Sequence, residues 1–558
     1  MIAVVRRVAL RRFGLVALAV VIAGCSDPAP VEPAPDAAAI DGALAIDAAG
    51  EVDADVDAGP DASTACATPA ACEQRAADRF DAILGDPAAL DAFLAAVPKG
   101  GDLHQHLSGA VYAETYLDWA RADGACINTT TFAAVAAGSC SASTQPAPAS
   151  GSFFDQIVRA WSMQGFMAGA ETGHDHFFAT FGKFGVVAGA HRDEELADVV
   201  TRAASENQLY VETMFNLGRN VGNLAATDWS GTLGVGDLST LYATLMADSR
   251  FAARVAADVA VVTEAHDGYR TVLACDDLSP SAPCRVELRF VAQVSRTGAN
   301  DQIFGQLIGA FEMARQTGLI VGANLSSPED DPAAIANYDL HMAMLDFLYQ
   351  RYTATGLSPL QITLHAGELT AAYLPPGSTA NTFHIRRAVE RGHAARIGHG
   401  VDVMSETDPT ALLDELAARN VLVEVCLSSN DQILEVRGAA HPLAQYLAHG
   451  VPVALATDDQ GVSRSSLAGE YKRAALDQHL GYRQLKTMAR DSLEHAFLPG
   501  PSLWTSVATA TPVPACAGTV GGVPAAACQD HLAGSERARL QWKLEQRFLA
   551  FEQAQPAP

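Results

Sequence analysis

Short apolar runs rich in Val, Ile, Leu and Ala recur along the chain, and most are separated by longer stretches with helical spacing. The runs fall near 101–107, 209–215, 287–294, 319–325, 361–365, 395–399, 421–426 and 452–457. Leu209-Tyr210-Val211-Glu212-Thr213-Met214-Phe215 and Val421-Leu422-Val423-Glu424-Val425-Cys426 are examples. Runs of this length and β-branched content read as buried strands, and intervals such as 333–352 and 409–419 read as helices. Eight strands alternating with helices predict parallel βα units of the α/β class and, at this length, a (β/α)8 TIM barrel. Residues 98–513 are assigned to the barrel, 65–97 to an N-terminal helical extension, and 514–558 to a disulfide loop and C-terminal helix. The helical pattern from Ser535 to Gln553 is amphipathic; packing on the barrel is its expected use, with a homodimer contact as the alternative.

Polar motifs close several of these runs, where a βα barrel carries its chemistry. In His104-Gln105-His106 the two imidazoles are two residues apart, so in a strand they share a face and can offer two nitrogens to one metal ion. Two structural strand histidines would look the same. The run Gln361-Ile362-Thr363-Leu364 ends in His365 and stops at Gly367, which lets Glu368 fold back over the strand end, near a metal but not on it. His399 stands between Gly398 and Gly400, where the backbone can approach a ligand closely. The run from Val451 to Thr457 ends in Asp458 and Asp459; neighbouring strand residues face opposite ways, so the two carboxylates are expected to do different jobs. Each piece alone could be a surface turn or a helix cap. All four in this order, each closing an apolar run, point to one site.

With HxH, HAGE, GHG and TDD in sequence, the chain resembles the adenosine deaminase family over roughly Pro98 to Leu498. The run from Pro98 to Ala110 and the late Ser492-Leu493-Glu494-His495-Ala496-Phe497-Leu498 look most like its secreted, growth-factor-related branch. The resemblance implies one Zn2+ per chain on His104, His106, His365 and Asp458. It also implies that Glu368 donates a proton to purine N1, that His399 orients or deprotonates the attacking water, and that Asp459 bonds purine N7. Three imidazoles and a carboxylate are a donor set that suits Zn2+. The implied activity is hydrolytic deamination of adenosine, with 2′-deoxyadenosine beside it, to an inosine-type product and ammonia. Two positions depart from the family. Ser108 stands where relatives carry an Asp that would face the sugar hydroxyls. Ser327 aligns with a glycine whose backbone N–H approaches the base, so its Cβ is expected to narrow the pocket. Both leave deamination intact and leave the sugar open, including 5′-modified adenosines and AMP.

Other classes fit less well. A dinuclear amidohydrolase would share the HxH strand but usually adds a bridging lysine on the fourth strand, which here reads Leu319-Ile320-Val321-Gly322-Ala323-Asn324-Leu325. A cytidine-deaminase-type site needs HxE with PCxxC, which the chain lacks. A non-catalytic surface binding protein on the same barrel would be expected to have lost part of the polar set, and none of it is missing. With 64 acidic and 37 basic residues the net charge is −27, which argues against nucleic acid as a partner; a small purine nucleoside is the partner that the resemblance implies.

The N-terminus points to export. Arg6, Arg7, Arg11 and Arg12 precede an apolar stretch from Phe13 to Ile22 that is too short to span a membrane. Ile22-Ala23-Gly24-Cys25 resembles a lipobox, so residues 1–25 read as a lipoprotein signal peptide, with Cys25 lipidated and serving as the only membrane attachment. The protein is then expected in the periplasm or at the cell surface. Residues 26–64 carry ten acidic residues and no Lys or Arg, which predicts a disordered tether. Eight cysteines form four local pairs, Cys66/Cys72, Cys126/Cys140, Cys275/Cys284 and Cys516/Cys528, as expected of disulfides in an oxidising compartment.

Overall fold

The computed structural model describes residues 66–556; the expected signal peptide with Cys25 and the expected acidic tether lie outside them. Eight parallel strands form one sheet: β1 (Gly101–His106), β2 (Tyr210–Asn216), β3 (Glu287–Ser295), β4 (Ile320–Ser326), β5 (Gln361–Ala366), β6 (Arg396–His399), β7 (Leu422–Val425) and β8 (Val453–Leu455). Each pairs with the next in chain order, as βα units require. The last closes on the first through Asp458, whose N–H donates to His104 O (2.8 Å) and whose carbonyl accepts from His106 N (3.0 Å). The result is a (β/α)8 barrel, as the alternation of runs predicts.

Helix starts follow a repeated device. In α1 (Pro69–Ile83) Thr68 caps Ala71 N, and in α2 (Pro87–Ala96) Asp86 caps Ala89 N; both helices begin with proline, whose missing N–H costs nothing at that position. Downstream of these lie α3 (Gly173–Ala188), α4 (Leu427–Leu434) and α5 (Glu536–Gln553). The amphipathic α5 spends its inner face within the chain. Phe551 meets Phe93 of α2 edge-on at 5.0 Å, and Glu545 takes both arms of Arg490 at 2.7 and 2.8 Å. A separate small core of Leu503, Trp504, Cys516, Cys528, Ala538 and Trp542 sits beside it.

The Ala/Ser/Pro-rich segment after Cys126 forms a three-stranded antiparallel sheet, with strands at 126–128, 134–135 and 144–146. Its Ile127 and Ala134 share a core with Trp161, Phe177 and Phe184, so the insertion buttresses α3 from outside. All four cysteine pairs expected from spacing are disulfides, and Cys426 is free and buried. Among the described residues no helix is long and apolar enough to cross a membrane.

Candidate active site

The C-terminal rim gathers the polar residues that close the strands. His104 Nε2 and His106 Nε2 each lie 3.1 Å from His365 Nε2, and Asp458 Oδ1 lies 3.6 and 3.3 Å from the first two. Four donors on a tetrahedral ion at about 2.0–2.1 Å would be separated by roughly 3.3 Å, so the spacing matches a single ion. Protonation states make the same point. His104 Nδ1 faces Glu424 Oε2 (2.6 Å), His106 Nδ1 faces Gln293 Oε1 (3.1 Å) and His365 Nδ1 faces Asn324 Oδ1 (2.7 Å). Each outer nitrogen therefore donates, and three Nε2 atoms turn inward beside Asp458. Against burial, the charges of Asp459 and Asp458 and the Asp458 hydrogen bond raise His106 to about 9, so its Nε2 holds a proton that a divalent cation would displace; the donor set fits one.

Closure of the barrel is what delivers Asp458. Its backbone is clamped between His104 and His106, so its carboxylate arrives beside both rings. Here the strand-alternation argument fails. β8 ends at Leu455, and Asp458 takes a left-handed backbone with φ +57°, so Asp458 and Asp459 turn toward the same site instead of opposite faces. Two glycines make room. A Cβ on Gly398 would stand 2.5 Å from His104 Cε1, and one on Gly109 would stand 1.6 Å from Asp459 Oδ1.

A cavity of about 330 Å3 opens beside the donor cluster. Ser108, Ser327, Glu368 and Asp459 line it together with His106, His365 and Asp458, and Phe177, Phe178 and Phe181 of α3 form its apolar wall. Ser327 holds φ +83°, the backbone of a glycine, while carrying a side chain whose Oγ meets Ser295 Oγ at 2.8 Å. His399 is fully buried, and its Nε2, without a hydrogen-bond partner among the described residues, lies 3.7 Å from Glu368 Oε1.

Electrostatics separate the carboxyls. Burial, then the charges of Asp458 and Glu329, push the Glu368 carboxyl well above the usual range, toward its protonated form. Burial likewise raises Asp459, only partly offset by the charge of His106. Burial also acts on Asp458, but the His106 hydrogen bond and the neighbouring imidazoles overcome it and keep this carboxylate ionised. Burial lowers His399 to about 3, which keeps it neutral. Glu368 is held from behind: Glu329 accepts the backbone N–H groups of Gly367 (3.2 Å) and Glu368 (2.9 Å) and pairs with His384 Nδ1 at 2.6 Å.

The structure thus brings together His104, His106, His365, Glu368, His399, Asp458 and Asp459, with Ser108 and Ser327 on the cavity wall. Motif reading missed the supporting groups. Glu424 is a lone charge inside an apolar strand, which is a readable signal. Asn324 and Gln293 are polar residues in buried strands, and Phe177 and Phe181 stand one helical turn apart.

Three imidazoles and an aspartate converge on the C-terminal rim of a (β/α)8 barrel, fit to hold one metal ion, with a carboxyl of raised pKa at the wall of an adjoining cavity. Residues 252–503, somewhat under half of the chain, match the sequence model of adenosine deaminase, and the chain is similar to that family over this stretch. The adenosine deaminase of Serratia proteamaculans is 39% identical over 140 residues, 25% of this chain and 38% of that protein. That of Escherichia coli is 38% identical over 138 residues, with the same shares. The match spans little more than a third of the length of these curated relatives. Among solved structures, an Arabidopsis N6-mAMP deaminase is similar, with TM-score 0.47 and 18% identity over 73% of this chain and 95% of that one. An adenine deaminase from Arthrobacter aurescens has TM-score 0.43 and 18% identity over 72% and 94%.

Proposed function

We propose that the chain is a zinc-dependent hydrolase that deaminates adenosine, and 2′-deoxyadenosine, to inosine-type products and ammonia. The observation that carries this reading is the pairing of the inward-facing His104, His106, His365 and Asp458 donors with a Glu368 carboxyl of raised pKa at the wall of the same cavity. A zinc ion on those four residues would lower the pKa of a coordinated water to about 7 and so make the nucleophile available at neutral pH. Water adds to C6 of the purine only if the ring can take up the electron pair, so N1 must gain a proton as the bond forms. Glu368 supplies it. The C6–N6 bond then breaks. Of the two protons the water brought, one completes ammonia and the other restores Glu368, while N1 keeps the proton it received. N7 is an acceptor, and Asp459, raised by burial, brings the proton it needs.

One observation favours a second reading of the sugar end. A neighbouring cavity of about 410 Å3 shares Ser108, Phe181 and Gln293 with the first and is lined by Arg192 and Arg219 as well as Glu195 and Asp258; the two guanidiniums suit a 5′-phosphate. The test is a panel of adenosine, 2′-deoxyadenosine and AMP incubated with the purified full chain, with and without a chelator, reading ammonia. Adenosine turnover that the chelator abolishes and zinc restores is expected; ammonia from none of the three would refute the reading.

The same reading takes the protein as exported and lipid-anchored at Cys25. The four disulfides support an oxidising compartment.

A further inference from the structure

We propose that His441 and Asn430 are positioning residues that hold His399 as its Nε2–H tautomer, so that His399 meets the attacking oxygen as a hydrogen-bond donor and not as its base. What His399 acts on rests on the deamination reading; the tautomer does not.

One group behind His399 cannot be turned around. The backbone N–H of Leu443 donates to His441 Nδ1 at 3.1 Å. His441 Nδ1 is therefore an acceptor, and the proton of that ring sits on Nε2. His441 Nε2 lies 3.1 Å from Asn430 Oδ1, so it donates there and fixes which end of the amide is oxygen. Asn430 Nδ2 then points at His399 Nδ1, 2.9 Å away, and donates to it. His399 Nδ1 accepts, and its proton is left on Nε2. All three side chains are buried, at 0% exposure for His399 and Asn430 and 2% for His441, so water cannot substitute for a lost partner. Burial also lowers His441 to about 4, which keeps that ring neutral and able to accept from Leu443.

The relay runs across three neighbouring segments of the rim: the end of β6, the interior of α4 and the loop that follows α4. Within this relay it terminates at His399 Nε2, a buried nitrogen with no hydrogen-bond partner among the described residues, on the Glu368 side. For His399 to take a proton there, Nε2 would have to present a lone pair and Nδ1 a proton. The Asn430 amide would then have to rotate, and its NH2 would face His441 Nε2–H donor to donor. A doubly protonated His399 meets the same clash with Asn430 Nδ2. The arrangement suits a fixed N–H dipole aimed at charge that develops on the attacking oxygen, a role that gains from being set before the reaction.

The test is imidazole nitrogen spectroscopy of the full chain labelled with 15N-histidine, metal-free and zinc-loaded, with His399 assigned by its absence in His399→Phe. The wild type is expected to show His399 Nε2 protonated and Nδ1 as an unprotonated acceptor in both forms. Asn430→Asp is nearly isosteric but offers only acceptors, so it should move the proton to Nδ1 and lower kcat about 100-fold, the scale of losing one transition-state donor. KM should stay within about threefold and zinc content unchanged. His441→Leu should give a mixed tautomer and a lower rate, and His441→Gln, which still donates to Asn430 Oδ1, should rescue both. A wild-type His399 protonated at Nδ1, or an Asn430→Asp variant with equal or higher kcat, would overturn the proposal. Wild-type protein that releases no ammonia from adenosine would defeat the deamination reading alone, since the spectra still decide the tautomer.

Discussion

Glu424 Oε2 lies 2.6 Å from His104 Nδ1, while its other oxygen takes Arg396 Nε at 2.5 Å and Thr363 Oγ1 at 2.8 Å. One buried carboxylate thus orients a proposed metal ligand and, with Glu212, pairs with a fully buried guanidinium. Glu424→Gln keeps the shape but replaces one acceptor by an NH2 that must face a donor. We expect zinc affinity to fall about 10- to 100-fold, the usual cost of removing a partner of a ligating histidine. Competition against a chromogenic chelator measures it, and unchanged affinity would mean that His104 is oriented by something else.

How much of this was legible beforehand follows from what each residue reports locally. His104, His106, His365 and Glu368 end apolar runs, so strand periodicity and barrel architecture place them on the rim together. Strand alternation puts Asp458 and Asp459 on opposite faces and the structure does not, because nothing in Ala456-Thr457-Asp458 announces that the chain leaves the strand and enters a left-handed turn to pair with β1. That pairing joins positions some 350 residues apart, and sequence periodicity carries no information about it. The same holds for Glu329 behind Glu368 and for His441 behind Asn430: each lies in a loop or helix and is defined by its partner. The Ala/Ser/Pro-rich composition after Cys126 carries no periodicity, so its packing on α3 is visible only in the structure.

Glu368→Gln removes the proposed acid without removing charge from a group that is already neutral. Zinc content should therefore stay near one per chain while kcat falls about 100- to 10,000-fold, the range for loss of a positioned general acid. Single-turnover kinetics with parallel metal analysis separate the two effects. Normal turnover in this variant would take Glu368 out of the mechanism.

The pH profile carries a sign. Glu368 must be protonated to act, and burial raises its pKa well above the ordinary carboxyl range. The active acid form is complete below that raised value and is lost as pH rises through it. We expect kcat to hold from mildly acidic pH through neutrality and to fall on the alkaline side. A rate that climbs steadily with pH and shows no alkaline limb would contradict the role.

Asp459 is expected to act as a donor to N7. Asp459→Asn still offers an N–H, whereas Asp459→Ala offers nothing, so kcat/KM for adenosine should fall further in the alanine variant. A lost bond of about 1.5–3 kcal/mol corresponds to roughly 10- to 150-fold. Equal losses in the two variants would show that the charge or shape of Asp459 matters and its proton does not.

The convergence of His104, His106, His365 and Asp458 is tested most directly by anomalous diffraction at the zinc edge from crystals of the full chain. We expect one peak per chain, about 2.0–2.2 Å from the three Nε2 atoms and from an oxygen of Asp458. A peak elsewhere, or zinc-supplemented crystals with none at this position, would contradict the account.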